Sequence, residues 1–304
     1  MGRVLSDPNT EKYSSDGSNN RLASGACAMQ GWRIEMQDTY ISDPNFDKNI
    51  SLFAVFKGNS GASVARYCKR YFGAQLRKNK SYQCGEYEEA LKETFFRMDE
   101  MIASEEGQEE LKTLWDGHER NSGRTSSTAA TVCLIVGKKV YCANVGDSSS
   151  MVWSKNQKID LCREQKPGDE ADTARIEHAG GEVVDGKLNG QNTKSRCIGC
   201  LRHKQNPDLE PWEQLVSAEP DIIIRDLTED DQFILMGSPG FFQTLKADEI
   251  CAMVERNIEE DPEGKLSGIL EVLFDMSLAH QHESGHVDYV GCENMTGIIV
   301  NFKK

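Results

Sequence analysis

Short apolar runs, arranged in close pairs, are the feature that most restricts the fold of this chain. The strand-like runs cover residues 52–56, 129–136, 139–144, 150–153, 232–236 and 297–302. Helical stretches cover residues 62–78, 86–104, 169–179, 247–257 and 265–280. Regular helical crossovers do not separate the paired strands, so we expect antiparallel sheets flanked by helices in an α+β arrangement.

Composition and charge restrict the class of protein. The chain has 304 residues with a formal net charge of −14, and 38% of its residues are hydrophobic. That balance excludes nonspecific nucleic-acid binding, which needs a basic surface. No apolar run approaches the roughly 18 to 20 residues of a membrane span. The ten cysteines are scattered, which indicates reduced thiols in a cytoplasmic protein.

The polar start of the chain carries a possible lipidation signal. Residues 1–6 fit the Met-Gly-x-x-x-Ser/Thr pattern, and removal of Met1 would expose Gly2 for N-myristoylation. A single myristoyl chain gives only reversible membrane contact. We expect residues 1–22 to form a flexible segment and residues 23–304 to form a single domain.

A lysine occupies a position where charged chemistry is expected. Residues 52–61 indicate a buried strand that runs into a glycine-rich turn, and Lys57 lies at the mouth of that turn. The side chain at this position is therefore a cation.

Many motifs in a fixed order give the chain a specific resemblance. They are Gly31–Asp38, residues 52–61, Ser126–Ala129, Asn144–Ser148, Arg175–Gly181, Leu188–Gly190, Ser195–Arg196, Asp231–Leu235 and Glu293–Thr296. In this order they resemble the type 2C metal-dependent Ser/Thr protein phosphatases, the PPM family. The resemblance covers nearly the whole chain. It implies a PPM-type four-layer αββα sandwich of two antiparallel β-sheets flanked by helices.

The resemblance also implies a chemistry against which each position can be tested. Members of the family use two Mg²⁺ or Mn²⁺ ions to activate a water that attacks phosphorus in line. Hard dications prefer carboxylate oxygens, and a pair of them neutralises the developing charge. An arginine binds the substrate phosphate, and Arg33 matches it. Asp38 matches a carboxylate that supports the metal waters, and Asp147 matches one linked to a third metal.

The remaining positions depart from the family pattern. Gln37 replaces a glutamate, and Lys57, in the Lys57-Gly58 pair, replaces the aspartate that bridges both metals. Asn59 stands in the place of a histidine. Three further aspartates of the family pattern are replaced, by Pro239, Glu293 and Cys200. Gln243 replaces another acidic residue.

The size of the bridging interaction decides what these replacements mean. At an effective dielectric constant near 20, a unit charge about 4 Å from a dication contributes on the order of 8 kcal/mol. A lysine turns that attraction into a comparable repulsion. We therefore expect no metal at the two-metal site and a pseudophosphatase that binds a phosphoprotein or a signalling partner. The alternative is a weak phosphatase that uses Mg²⁺ or Mn²⁺ with Asp38, Asp147 and Glu293.

Two interpretations of Lys57 remain open in the sequence. Its ammonium and Arg33 together would form a small anion site suited to a phosphorylated side chain. Alternatively, Lys57 pairs with Asp38, Asp147 or Glu293 and stabilises an idle pocket.

One further motif concerns thiols. Cys197-Ile-Gly-Cys200 has the spacing of a redox motif or of half a zinc site, but no second cysteine pair accompanies it. We expect structural thiols there.

Overall fold

Two antiparallel β-sheets form the centre of the molecule. The computed structural model describes residues 4–114, 124–280 and 290–303. The first sheet contains, in spatial order, β1 (Val4–Ser18), β2 (Leu22–Arg33), β14 (Met295–Phe302), β13 (Asp231–Gly237), β7 (Ser149–Ser154) and β8 (Gln157–Asp160). The second contains β12 (Asp221–Asp226), β6 (Lys139–Val145), β5 (Ser127–Val136), β4 (Ile50–Asn59) and β3 (Thr39–Asp47), and β11 (Ile198–Gly199) pairs with β5.

Helices cover both outer faces of the sandwich. The second sheet carries α1 (Ser63–Lys78), α2 (Lys80–Gln83), α3 (Tyr87–Ala103) and α4 (Glu105–Thr113). The first sheet carries α6 (Ala247–Glu260) and α7 (Leu266–Ser277). Outside these layers lie α5 (Glu170–His178) and the hairpin of β9 (Val183–Val184) and β10 (Lys187–Leu188). The prediction of an α+β, four-layer αββα sandwich is confirmed.

The alternation of side chains along β4 explains how the layers hold together. Leu52, Ala54 and Phe56 pack with the helices of the second sheet. Phe53 and Val55 point the other way, into the core between the two sheets. Successive side chains of a strand face opposite sides, so a strand buried on both faces appears as a continuous apolar run. Each fully buried phenylalanine of this kind contributes about 1.5–3 kcal/mol.

The amino-terminal segment differs from the flexible start that we expected for residues 1–22. Val4–Ser18 is an edge strand that pairs with β2, in continuous register from Ser18 opposite Ala23 to Lys12 opposite Met29 and with register shifts beyond that point. An edge strand needs only one neighbour and leaves its other side in water, so a polar sequence suffices. Lys12 also pairs with Asp275 of α7 at 2.5 Å. The domain therefore begins before residue 23.

Two further points concern membranes and the chain start. Among the described residues, no helix is long and apolar enough to cross a bilayer. Gly2, the predicted lipidation site, lies outside the described residues.

Candidate functional site

Four charged side chains from separate elements meet at one end of the sandwich. Arg33 is the last residue of β2, and Lys57 lies two residues before the end of β4. Asp147 follows β6, and Glu293 lies shortly before β14. The two sheets thus bring together positions that are distant in sequence.

The turn after Lys57 depends on a glycine for steric reasons. A Cβ atom on Gly58 would lie 2.4 Å from the carbonyl oxygen of Gln37 and 2.7 Å from that of Gly61. Only a residue without a side chain allows this approach. Gly58 therefore fixes the segment of Gln37 against the end of β4, next to the Lys57 side chain.

The ammonium of Lys57 pairs with two carboxylates. Its Nζ lies 2.6 Å from Asp147 Oδ2 and 3.7 Å from Glu293 Oε2, and its side chain is 16% exposed. Burial alone would lower the pKa of Lys57, but the charges of Asp147, Glu293 and Asp38 outweigh it and raise the pKa. The lysine is therefore a charged group at neutral pH.

Glu293 connects this pair to the arginine. Arg33 donates from Nη2 to Glu293 Oε1 at 2.8 Å, while the other carboxylate oxygen faces Lys57. The result is a chain of alternating charges that runs from Arg33 through Glu293 and Lys57 to Asp147. Of the two interpretations of Lys57, the structure contains the internal ion pair, and its partners are Asp147 and Glu293.

Asp38 is the third carboxylate of the site, and its environment is different. It is 5% exposed, and its Oδ2 atom has no hydrogen-bond partner among the described residues. Burial raises the pKa of Asp38 to about 7; the nearby Ser238 and Thr296 hydroxyls and the Lys57 charge offset only part of this. Asp38 therefore takes up a proton at a higher pH than an exposed aspartate does.

The amide side chains of Gln37 and Asn59 are engaged within the protein. Gln37 donates from Nε2 to Glu35 Oε1, and its backbone N–H donates to Asn294 Oδ1 at 2.9 Å. Asn59 donates from Nδ2 to the carbonyl oxygen of Lys57 at 3.3 Å. The Asn59 side chain thus contacts the backbone of β4, and the Gln37 side chain contacts a neighbouring carboxylate.

Pro239 and Gln243 lie on a short 3₁₀ turn and at its end. Pro239 is the first residue of that turn, which spans Pro239–Phe242, and it offers no side-chain ligand. Gln243 accepts through Oε1 from the backbone N–H of Gly291 at 3.0 Å. Its side chain therefore stabilises the segment that leads to Glu293.

The donor set does not fit two divalent cations as it is arranged. Within residues 4–114, 124–280 and 290–303, no group of three or more Asp, Glu, His or Cys side chains is placed to hold a metal ion. Asp147 and Glu293 are both paired with cations. An ammonium stands where the family pattern has a bridging carboxylate.

A cleft of about 450 Å³ opens beside the ion pairs. Its lining includes Lys57, Asp147, Glu293, Lys187 and Lys194. Burial lowers the pKa of Lys194, and the charge of Lys57 acts in the same direction. Lys194 was not predicted as a site residue, although this lysine directly precedes the Ser195–Arg196 motif.

Comparisons with known proteins agree with this architecture. The sequence model of the family described as Protein phosphatase 2C matches residues 22–284. A relative from Paramecium tetraurelia, Probable protein phosphatase 2C 5, is 41% identical over 303 residues, covering 100% of both chains. Probable protein phosphatase 2C 21 from Arabidopsis thaliana is 34% identical over 337 residues, covering 100% of this chain and 93% of the relative.

A solved structure shares the fold. The crystal structure of a phosphatase from Toxoplasma gondii matches with a TM-score of 0.74 at 18% identity and covers 96% of each chain. The family model and the relatives match across almost the entire sequence. The chain therefore belongs to the protein phosphatase 2C family.

Proposed function

We propose that this chain is a pseudophosphatase, a member of the family that does not hydrolyse phosphate esters. One observation carries the proposal. The Lys57 ammonium lies between Asp147 and Glu293, at distances of 2.6 and 3.7 Å from their oxygens. The ammonium thereby offsets the negative charge of these two carboxylates, which a dication would otherwise neutralise.

Loss of the bridging carboxylate has a direct chemical consequence. Without closely bound dications, nothing in the site lowers the pKa of an attacking water or neutralises the charge on the phosphoryl group. Lys57 donates hydrogen bonds but offers no acceptor while it is protonated. Arg33 is held by Glu293 at 2.8 Å.

Hydrolysis of a phosphothreonine peptide with millimolar Mn²⁺ tests this proposal. We expect a rate equal to that of a mock purification and no change on Arg33→Ala. A Mn²⁺-dependent rate that the Arg33→Ala variant loses would overturn the proposal. It would favour the alternative, a weak phosphatase that binds a displaced metal through Asp38, Asp147 and Glu293.

We also propose that the cleft beside the ion pairs binds a phosphorylated side chain of a partner protein. Arg33 and Lys57 are neutralised by carboxylates, so they form an anion site only if those pairs open. Lys194 supports the proposal better, because it lines the cleft and makes no ion pair within the described residues. A partly buried cation that makes no ion pair gains from binding an anion.

Calorimetry with a phosphothreonine peptide and its unphosphorylated form tests binding separately from catalysis. We expect binding of the phosphorylated form alone, with at least a tenfold loss of affinity on Lys194→Met. Lys48→Met is the matched control, since Lys48 is exposed at the turn between β3 and β4, at the other end of β4 from Lys57. Equal heats for the two peptides would refute the binding proposal and leave the question of catalysis untouched.

Acylation of Gly2 and a cytoplasmic location complete the proposal. The pattern Met-Gly-x-x-x-Ser supports reversible membrane contact through one myristoyl chain. Mass spectrometry of the protein after coexpression with an N-myristoyltransferase is expected to give an added myristoyl group that Gly2→Ala abolishes. An unmodified amino terminus under those conditions would contradict it.

A further inference from the structure

Another cavity lies at the end of the sandwich opposite the Lys57 site. In the antiparallel pair of β4 and β5, Lys57 is opposite Ala129, whereas this cavity lies beyond Val136, which is opposite Ile50. Its volume is about 610 Å³, within the roughly 300–1,000 Å³ of small-molecule sites. We call it the distal pocket, and its lining includes Arg21, Leu22, Ile135, Lys138, Phe302 and Lys303. It shares no lining residue with the cleft beside the ion pairs.

The floor of the distal pocket is the end of the core between the two sheets. Leu22 and Ile135 line the pocket, are each 1% exposed and belong to that core. Leu227 and Phe302 also line it, and both are partly buried against the same core. A ligand with an apolar body would displace water from this floor, which favours binding.

Hydrogen bonds fix the walls of the distal pocket relative to one another. The Lys303 N–H donates to the Arg21 carbonyl oxygen at 2.8 Å, which joins the end of β14 to the turn before β2. The Leu227 N–H donates to the Lys138 carbonyl oxygen at 2.7 Å, which joins the loop after β12 to the turn before β6. Asn19 Oδ1 accepts from the Arg21 N–H at 2.8 Å. The pocket is therefore preformed, and a ligand does not have to order its walls.

Three cations line the distal pocket without a carboxylate partner. Arg21 donates from Nη1 to the Gly137 carbonyl oxygen at 2.8 Å, and its Nη2 has no hydrogen-bond partner among the described residues. Lys303 donates from Nζ to the Asn19 carbonyl oxygen at 2.6 Å. Lys138 is exposed. Within the described parts of the chain, none of the three forms an ion pair. Arg21 is thus a lining cation whose hydrogen-bonding capacity is not fully used.

The carboxylates of the lining do not cancel this charge. Asp231 pairs with Arg225, whose Nη2 lies 2.8 Å from Asp231 Oδ1. Glu229 is exposed, and it is the one further carboxylate among the described residues of the lining. The whole chain has 49 acidic and 35 basic residues, so an excess of unpaired cations around one pocket departs from its general charge. A cavity lined by one sign of charge concentrates ions of the other sign.

We propose that the distal pocket binds a small organic carboxylate with an apolar body. The planar guanidinium of Arg21 suits a carboxylate, and Lys138 and Lys303 add to the attraction. The body of the ligand would cover the floor formed by Leu22 and Phe302. An inorganic anion would leave that floor in water, and a neutral apolar compound would leave the cations without a partner. Neither the lack of metal binding at the Lys57 site nor phosphate binding in the cleft enters this argument.

Equilibrium dialysis of the wild-type protein against naphthoate tests the proposal. Naphthalenemethanol carries the same apolar body without the charge, and acetate carries the carboxylate without the body. We expect naphthoate to bind about tenfold more tightly than either, or better, because each lacks one half of the recognition. The proposal is overturned if naphthoate does not bind, or if one of the other two compounds binds equally well.

Matched lysine variants locate the bound naphthoate. Lys138→Met is expected to weaken binding by about threefold, and because Lys138 is exposed its replacement leaves the fold intact. Lys139→Met is the control, since this neighbour removes the same charge but pairs with Asp226 at 3.4 Å and does not line the pocket. An equal effect of the two variants would overturn the proposal.

Two further variants separate this site from the cleft beside the ion pairs. Arg21→Met is expected to weaken naphthoate binding by about tenfold or more, since it removes a charge-assisted hydrogen bond. Lys194→Met is expected to leave naphthoate binding unchanged. A loss on Lys194→Met without a loss on Lys138→Met would overturn the distal site and would leave the proposed phosphate binding in the cleft untouched.

Discussion

Lys57 Nζ lies 2.6 Å from Asp147 Oδ2, so a lysine of β4 and an aspartate of the turn after β6 pair at the centre of the site. Glu293 lies on the other side of the ammonium at 3.7 Å and also holds Arg33. At this end of the sandwich the charged side chains therefore form ion pairs with one another.

A double-mutant cycle on this pair measures how strongly it is coupled. We expect Lys57→Met and Asp147→Asn to give a coupling free energy of unfolding of about 1–2 kcal/mol, because the lysine is largely buried. The control is the Lys155–Asp230 pair, which has a similar 2.8 Å separation but is 71% and 50% exposed. Water screens that pair, so no measurable coupling is expected there. Equal coupling in both cycles would contradict the account of the site.

The pKa of Asp38 predicts a pH dependence of stability. Its folded-state pKa is raised from 3.8 to about 7, so the folded protein binds one proton more than the unfolded chain between those values. Stability from this group is therefore present at low pH and lost as the pH rises through 7. From pH 5.5 to pH 8 we expect about 2 kcal/mol of unfolding free energy to disappear.

Urea unfolding of the wild type and of Asp38→Asn at the two pH values checks this prediction. The asparagine cannot ionise, so the variant is expected to lack that part of the pH dependence. A pH dependence identical in the two proteins would show that Asp38 does not titrate in this range.

Gly58 is predicted to be intolerant of even a methyl group. Gly58→Ala would place Cβ 2.4 Å from the backbone oxygen of Gln37, and we expect a loss of about 1–3 kcal/mol in unfolding free energy. Gly168→Ala is the control, because the nearest atom to its Cβ is 3.7 Å away. Chemical denaturation of both variants measures the two unfolding free energies. A Gly58→Ala protein as stable as the control would contradict the close approach of the two segments.

Introducing carboxylates at three positions tests whether these replacements alone account for the proposed lack of metal binding. The triple variant Gln37→Glu/Lys57→Asp/Pro239→Asp is expected to gain Mn²⁺ affinity, since it replaces one cation and two neutral side chains with three carboxylates. Lys57→Met alone removes the cation without adding a ligand and serves as the matched control. Calorimetric titration with Mn²⁺ is the measurement. A triple variant that folds but binds no better than Lys57→Met would mean that the site is remodelled more widely.

The apolar strands were predictable from sequence because burial on both faces leaves an uninterrupted pattern. The central part of β4 is the best example, with residues 52–56 all buried. The polar strand Val4–Ser18 was missed, since an edge strand can be stabilised by one neighbouring strand, helped here by the Lys12–Asp275 ion pair. Strand Leu22–Arg33 was missed as well, because its glycines and alanines have low strand propensity.

The site was predictable only in part. The order of motifs identified Lys57, Glu293 and Arg33 as one constellation, but it left open which charges pair. Lys194 was not predicted to line the cleft. Its position there depends on how its segment packs against distant parts of the chain. No local pattern in sequence reports such packing.

Direct measurement of Mn²⁺ binding to the unaltered protein tests the central claim, that Lys57 occupies the place of the metals. The loss of the free Mn²⁺ signal in electron paramagnetic resonance reports binding without reference to activity. We predict no loss of signal relative to a protein-free sample up to millimolar Mn²⁺. Stoichiometric uptake below that concentration, with Lys57 still in place, would contradict the account.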